Sequence, residues 1–424
     1  MDPLLDLAIV WIAVYLAVIA ARYTRLTPVL FYLFFGALFV NMGILPIQTD
    51  AFVRGFAEIG IVVIMFALGF EEQTSNFVQS IKRSWAIALF GAVVPFLIAY
   101  YVALYYWADI DLALMCGLAM TATAVSLTMV SLRSEGLQAS PAATRIMASA
   151  VLDDIASLVL VAVLVPIATG STRFDVASIA FIVAKSVAFF VIVSVIGAWV
   201  FPHRKQGWFA RVPLLGKLGL INVLAFERGE YATLAVLLLA VGVGLLAHEF
   251  GFHPAVGAYM AGLILREEYF DVRGRPDEPI LNTYRDTKRI IDNVAFSWIG
   301  PVFFVELGTK LVFDADTFYT VIPHTAVLTV GLLIGQVVSA AVPARLTGGM
   351  SWGGSWMIGF GMLGRGELAF VVMDIAYVQH RILNKEAFYT LMFTAFWLNV
   401  AVPIAIRLWK PVYLRDLAAE RPPR

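Results

Sequence analysis

The stretch Ala148-Ser-Ala-Val-Leu-Asp-Asp-Ile-Ala-Ser-Leu-Val-Leu-Val161 places two adjacent carboxylates inside an apolar run that extends from residue 145 to 169. A run of ~20 apolar residues is long enough to cross the hydrocarbon core of a bilayer. A charge at that depth costs from ~2.5 to over 10 kcal/mol depending on the reference state. Asp153 and Asp154 therefore need a protein partner or a water-filled cavity. The structural alternative is a satisfied helix–helix contact, but carboxylates within a membrane mark ion or proton paths by default. Neighbouring helical residues point about 100° apart, so the two aspartates cannot share one environment and two roles are expected. Ser149 and Ser157 lie on the face of Asp153, at i−4 and i+4.

The rest of the chain repeats this apolar character. Of its 424 residues 61% are hydrophobic and 14% charged, against roughly 45–50% and about 25% in soluble domains. Spanning-length runs fall near 5–20, 28–42, 52–70, 85–107, 112–130, 145–169, 176–201, 231–249, 253–265, 292–313, 318–344, 354–378 and 388–408, so thirteen spans are expected in an all-α polytopic membrane protein. The zero formal net charge argues against nucleic acid as a partner. The single cysteine, Cys116, can form no internal disulfide. The first run lacks a basic leader and reads as a retained helix. No cofactor and no soluble regulatory domain are expected.

Basic residues set an orientation. With the N-terminus outside, the inner loops hold Arg22, Arg25, Lys82, Arg83, Arg133, Arg204, Lys205, Arg211, Lys217 and Arg228, and the tail adds Lys410 and Arg415. The expected arrangement is N outside and C inside. The stretches His203–Glu230 and Glu267–Ile291 read as interfacial or linker segments. An internal repeat is visible: Met115-Cys-Gly117-Leu-Ala-Met120 matches Met357-Ile-Gly359-Phe-Gly-Met362, and Ile59-Gly60 matches Ile299-Gly300. The offset of about 240 residues covers seven expected spans, an odd number, so the copies have opposite orientation, as in inverted-repeat transporters.

Two further segments carry chemistry. In Met120-Thr-Ala-Thr-Ala-Val-Ser-Leu-Thr-Met, the residues Thr121, Thr123, Ser126 and Thr128 crowd hydroxyls into the middle of a span. A break there would present carbonyl and hydroxyl oxygens to a hard cation; back-bonding to the helix is the alternative. Its repeat partner, Gly359-Phe-Gly-Met-Leu-Gly-Arg-Gly-Glu, holds four glycines with Arg365 and Glu367. Glu367, Glu306 and Glu58 are the carboxylates considered for Arg365 to neutralise. A carboxylate buried beside a like charge holds its proton more tightly, and a cation needs the same oxygen free. Proton and cation therefore compete, and a site open to one side at a time turns competition into exchange.

These residues resemble the bacterial sodium/proton antiporters of the monovalent cation:proton antiporter superfamily, in the branch with paired aspartates. The resemblance runs over nearly the whole chain and rests on Phe56-Ala-Glu-Ile-Gly60, Phe66-Ala-Leu-Gly-Phe-Glu71, Ala122-Thr123, Val151-Leu-Asp-Asp154, His253-Pro-Ala-Val-Gly-Ala-Tyr-Met-Ala-Gly262, Gly300-Pro-Val-Phe-Phe304 and Gly364-Arg-Gly-Glu367. It implies an inverted-repeat fold with crossed discontinuous helices, and a homodimer embedded in membrane lipid. It implies a scaffold or dimerisation domain at 1–51 and 171–275, a linker at 276–291, and an ion-translocating core at 52–170 and 292–424. It also implies that Asp154 binds the cation and the proton with Asp153 beside it, that Thr123 lies at a helix break with Ser126 next to it, and that Arg365 and Glu367 lie in the second broken helix.

One departure stands out. The family carries a lysine after a glycine in the eleventh span, where this chain has Gly335 followed by Gln336. Gln336 can hydrogen-bond Asp153 but cannot neutralise it, so exchange closer to electroneutral, or an altered pH dependence, is expected. The rival functions are a potassium/proton exchanger of the same superfamily and, remotely, an intramembrane aspartyl protease. The protease needs aspartates on two separate helices to flank a peptide bond, which adjacent residues cannot do.

Overall fold

The computed structural model describes residues 3–24, 26–71, 74–138, 140–169, 226–250, 252–270 and 283–420, with isolated positions between 184 and 224; side chains at 71–83, 125, 126, 133, 151, 154, 155, 228, 268, 419 and 420 lie outside the described set. Fifteen α-helices run through these residues. They are α1 (Pro3–Thr24), α2 (Pro28–Asn41), α3 (Ala51–Glu71), α4 (Thr74–Trp107), α5 (Ile110–Ala119), α6 (Val125–Ser134), α7 (Pro141–Ala168), α8 (Ala232–Glu249), α9 (Pro254–Leu263), α10 (Thr283–Asn293), α11 (Gly300–Gly308), α12 (Ala315–Leu346), α13 (Trp352–Gly361), α14 (Glu367–Asp374) and α15 (Lys385–Glu420). Among the described residues no strand forms.

Local chemistry sets these boundaries. Asp109 caps α5 by accepting from the amides of Asp111 and Leu112 at 2.9 and 3.1 Å. Ser140 caps α7 through the Ala143 amide, with Pro141 behind it. Ser351 caps α13 through Gly354 at 3.2 Å. Each cap satisfies a backbone donor that the first helical turn leaves open. Among the described residues seven helices are long and apolar enough to cross a membrane, and shorter apolar helices accompany them. The expected span 112–130 is not one helix: it divides into α5 and α6, and 354–378 likewise divides into α13 and α14. The expected span 176–201 falls almost wholly outside the described residues, as does much of His203–Glu230.

The described chain forms two compact units. One comprises Met1–Trp11, Thr49–Thr74 and Val176–Glu306. Here α3 and α9 come backbone to backbone: a Cβ on Gly69 would stand 2.1 Å from the Tyr259 carbonyl oxygen, and one on Gly262 would stand 2.3 Å from that of Phe66. Small residues at such a contact let membrane helices gain dispersion energy in a solvent that offers no hydrophobic drive. Phe70 at the end of α3 packs against Phe270 and Tyr284, with ring centroids 5.8 and 5.3 Å away. The polar segment expected to be interfacial contains α10, which buries Thr283, Thr287 and Ile291 along one stripe. Glu306, considered above as a partner for Arg365, instead accepts from the Thr49 hydroxyl at 3.1 Å.

The other unit comprises Ile12–Gln48, Ser75–Asp175 and Leu307–Arg424. The end of α15 ties it together. Lys410 pairs with Glu135 at 3.0 Å, the Tyr413 hydroxyl accepts from the Ala142 amide, and Asp416 accepts from the Gly353 amide at 2.8 Å. These contacts fix the starts of α7 and α13, the helices that lead to the polar centre described below.

The glycine contact of the first unit gives a direct prediction. Gly262→Leu forces α3 and α9 apart and is expected to cost ~3 kcal/mol or more, read as loss of the monodisperse peak in detergent size-exclusion and a thermal midpoint several degrees lower. Gly242→Leu, whose position has open space, is expected to leave both unchanged.

Candidate functional site at the helix crossing

Two chain segments leave the helix in the middle of their spans. Between α5 and α6 the break covers Met120–Ala124, and between α13 and α14 it covers Met362–Gly366. The extended peptides pass antiparallel and pair at Thr123 and Arg365; the Ala124 amide donates to the Gly364 carbonyl at 2.9 Å. This is the crossing of discontinuous helices that the sequence led us to expect.

The crossing is possible because both peptides can approach closely. A Cβ on Gly366 would lie 3.0 Å from the Thr123 carbonyl oxygen and 3.2 Å from Ala124 Cα, so a side chain there would push the strands apart. Backbone groups released from the helices find side-chain partners, as they must where water is scarce. Asn399 of α15 clamps the extended residue: its Oδ1 accepts from the Arg365 amide at 2.7 Å and its Nδ2 donates to the Arg365 carbonyl at 3.0 Å. The Thr128 hydroxyl reaches the Gly361 carbonyl at the end of α13. Thr121, in the break, bonds back to the Gly117 carbonyl of α5 at 2.9 Å. The hydroxyl-rich stretch thus divides its labour between back-bonding and the break.

Asp153 of α7 faces this crossing. It is fully buried, and its Oδ2 accepts from the Thr123 hydroxyl at 2.9 Å. Among the described residues its Oδ1 has no hydrogen-bond partner, and neither has Ser157 Oγ one turn further along the same face. Ser149, one turn back, donates to the Arg145 carbonyl at 2.8 Å. Asp154 is helical in α7, but its side chain lies outside the described residues, as does that of Ser126. Glu367 begins α14 and is half-buried.

Arg365 is among the most deeply buried large side chains in the chain, at 1% exposure. Its Nη2 donates to Gln336 Oε1 at 2.9 Å, while Gln336 Nε2 donates to the Gly91 carbonyl of α4 at 3.1 Å. Gln336 therefore bonds the arginine rather than Asp153. Glu58, the third carboxylate considered for Arg365, is exposed. The sequence reading left Asp153 without a nearby cation. The fold supplies one from another span, because Arg365 and Asp153 attract each other across the crossing. No pattern in α12 alone could have revealed this. Asn399 was also missed, although a lone amide within the apolar run 388–408 was a signal available in the sequence.

Chemically, the arrangement offers a carboxylate, hydroxyls and freed carbonyls to a hard cation. The ends of four half-helices surround them, with partial positive charge at the starts of α6 and α14 and negative at the ends of α5 and α13. Among the described residues no group of histidine, cysteine and carboxylates could hold a resident metal ion.

The clamp is testable. Asn399→Leu strands a buried N–H and a buried C=O at Arg365, each worth roughly 1–3 kcal/mol. The variant is expected to melt well below the wild type in detergent, whereas Asn399→Gln recovers part of the loss. Equal melting temperatures would mean that the crossing does not depend on this amide.

Comparison with known proteins agrees with this geometry. The sodium proton antiporter MjNhaP1 from Methanocaldococcus jannaschii superposes with a TM-score of 0.70 over 98% of this chain and 99% of its own, at 14% identity, which shows a shared fold. The Na(+)/H(+)-K(+) antiporter GerN of Bacillus cereus is 25% identical over 342 residues, 80% of this chain and 79% of the relative. A Na(+)/H(+) antiporter of Enterococcus hirae is 20% identical over 383 residues, 89% of this chain and 90% of the relative. The family described as sodium/hydrogen exchanger, transmembrane, matches residues 8–408. This multi-pass membrane protein, with its two broken helices crossing beside a buried aspartate, belongs to the sodium/hydrogen exchanger family of cation/proton antiporters.

Proposed function

We propose that the chain exchanges a monovalent cation, sodium in the first place, for protons by competition at Asp153 and Asp154, with access alternating between the two sides of the membrane. The observation that carries this reading is the Asp153 carboxylate, fully buried and bonded to Thr123 at the break between α5 and α6. A carboxylate cut off from bulk water can hold a proton or a cation, but not both on the same oxygens. Protonation removes the charge that binds the cation, and cation binding removes the site that takes the proton. Opening to one side at a time then couples the two fluxes.

Asp154 is proposed as the residue that exchanges and Asp153 as its neighbour, facing the charge of Arg365 without a direct bond to it. Thr123 and Ser126 supply hydroxyls at the first break, and Glu367 lies at the start of α14. One exchanging carboxylate carries one proton against one monovalent cation, which moves no net charge. Residues 52–170 and 292–424 are proposed as the moving core, 1–51 and 171–275 as the scaffold of a homodimer, and 276–291 as the link. The N-terminus is placed outside and the C-terminus in the cytoplasm of a bacterial inner membrane. A potassium/proton exchanger is the second reading, favoured by the potassium in the printed name of the Bacillus cereus relative.

Reconstituted in liposomes with a trapped pH dye, the protein is expected to dissipate an imposed pH gradient on addition of sodium. Asp154→Asn is expected to reduce this to the protein-free background. Clamping the membrane potential, inside negative or at zero, is expected to leave the wild-type rate unchanged within about twofold; a strong dependence would overturn one-for-one exchange. Running sodium, lithium and potassium side by side decides selectivity. Protease access to a C-terminal tag is expected only in inverted vesicles, and access in right-side-out vesicles would reverse the orientation.

A further inference from the structure

A guanidinium cannot be deprotonated in a protein, so Arg365 keeps its charge through every step of any cycle. Its surroundings are unusual for a buried cation. One nitrogen, Nη2, is taken by Gln336 Oε1 at 2.9 Å. The other two, Nε and Nη1, have no hydrogen-bond partner among the described residues, and neither has Oδ1 of the fully buried Asp153. The two opposite charges attract without touching, although both have free atoms for a direct bond.

Two contacts hold the arginine in this place. Its backbone is fixed on both edges by Asn399, at 2.7 and 3.0 Å, so the residue cannot slide along the crossing. Its tip is tethered by Gln336, whose own orientation is set because Nε2 is committed to the Gly91 carbonyl at 3.1 Å, leaving Oε1 for the guanidinium. Glutamine suits this task because it accepts a bond from the arginine without adding a charge that would neutralise it. A carboxylate at 336 would cancel the positive charge, and an ammonium would repel it.

We propose that Arg365 is a positioning residue, a permanent positive charge held off Asp153 by Gln336, and that this charge sets how tightly the aspartate pair holds the transported cation. This rests on the exchange at the aspartates proposed above. A cation entering the crossing feels attraction from the carboxylates and repulsion from Arg365. A fixed charge one or two side-chain lengths away in a partly polar interior shifts cation affinity by about tenfold or more. The site is thereby kept from binding so tightly that release becomes slow.

The experiment measures the apparent KM for sodium in proteoliposomes at alkaline pH, where protons compete least, together with stabilisation of the detergent-solubilised protein against heating by sodium. Arg365→Lys keeps the charge, and its KM is expected within about threefold of wild type. Arg365→Gln removes the charge, and its KM is expected to fall about tenfold, with sodium protecting at correspondingly lower concentrations. Because substitutions at Arg365 can disturb folding, Gln336→Lys and Gln336→Glu provide a second pair. The added ammonium is expected to raise the KM about tenfold, whereas the added carboxylate, which cancels the guanidinium's charge, is expected to lower it about tenfold. A KM that ignores charge at both positions, in protein that still exchanges, would overturn the role of Arg365 and leave the antiport reading intact. Absence of sodium-coupled exchange in the wild type would overturn the antiport reading itself.

Discussion

The polar centre depends on one constraint: a peptide group taken out of a helix at membrane depth must find another partner there. Two segments of this chain leave the helix, and each meets the demand of the other. The Ala124 amide bonds the Gly364 carbonyl, the Thr128 hydroxyl takes the Gly361 carbonyl, and Asn399 covers both backbone groups of Arg365. Breaking one helix alone would leave donors and acceptors stranded at several kcal/mol apiece. Breaking two and crossing them lets the same exposed groups pair, with glycine at 366 allowing the approach. The site is thus a consequence of how the backbone is satisfied, and the side chains that do the chemistry are fixed by the same bonds.

The sequence revealed much of this because the relevant signals are local. An acidic doublet within an apolar run, a hydroxyl cluster in the middle of a span, and four glycines around an arginine each stand out against a lipid-facing background. Repetition at a common offset linked the second and third signals before any coordinates did, and the crossing joins those two segments. What stayed hidden is the pairing of side chains from distant spans. Gln336 was read against Asp153 because both were expected near the site, yet its amide is divided between Gly91 and Arg365. Arg365 was set against glutamates, and one of them, Glu306, is bonded to Thr49 within the other unit. Contacts between residues 29 or 245 positions apart depend on helix rotation and depth, which periodicity in one span does not encode.

The same limits explain the count of spans. Hydropathy sees 112–130 and 354–378 as single apolar stretches because their breaks consist of methionine, alanine, threonine, leucine and glycine with a single charge, Arg365. One charge does not end an apolar stretch of this length, although glycine and threonine weaken the helix. A span can therefore be continuous to a hydropathy scale and discontinuous in its hydrogen bonds. The short helices α5, α6, α13 and α14 are the result.

Charge bookkeeping at the crossing completes the physical picture. The half-helix ends contribute partial charges of both signs that largely offset one another, because two positive and two negative ends meet there. What remains is decided by whole charges: the carboxylate of Asp153 and the guanidinium of Arg365. A buried ion pair in direct contact would gain strongly from low dielectric, but it would also lock the carboxylate away from any other ligand. Holding the guanidinium on Gln336 keeps the attraction and leaves Asp153 Oδ1 open. The neutral amide at 336 therefore replaces a charge at that position with a tether for one from elsewhere. On the exchange proposed above, a site built this way binds and releases a cation without rearranging its own counter-charge.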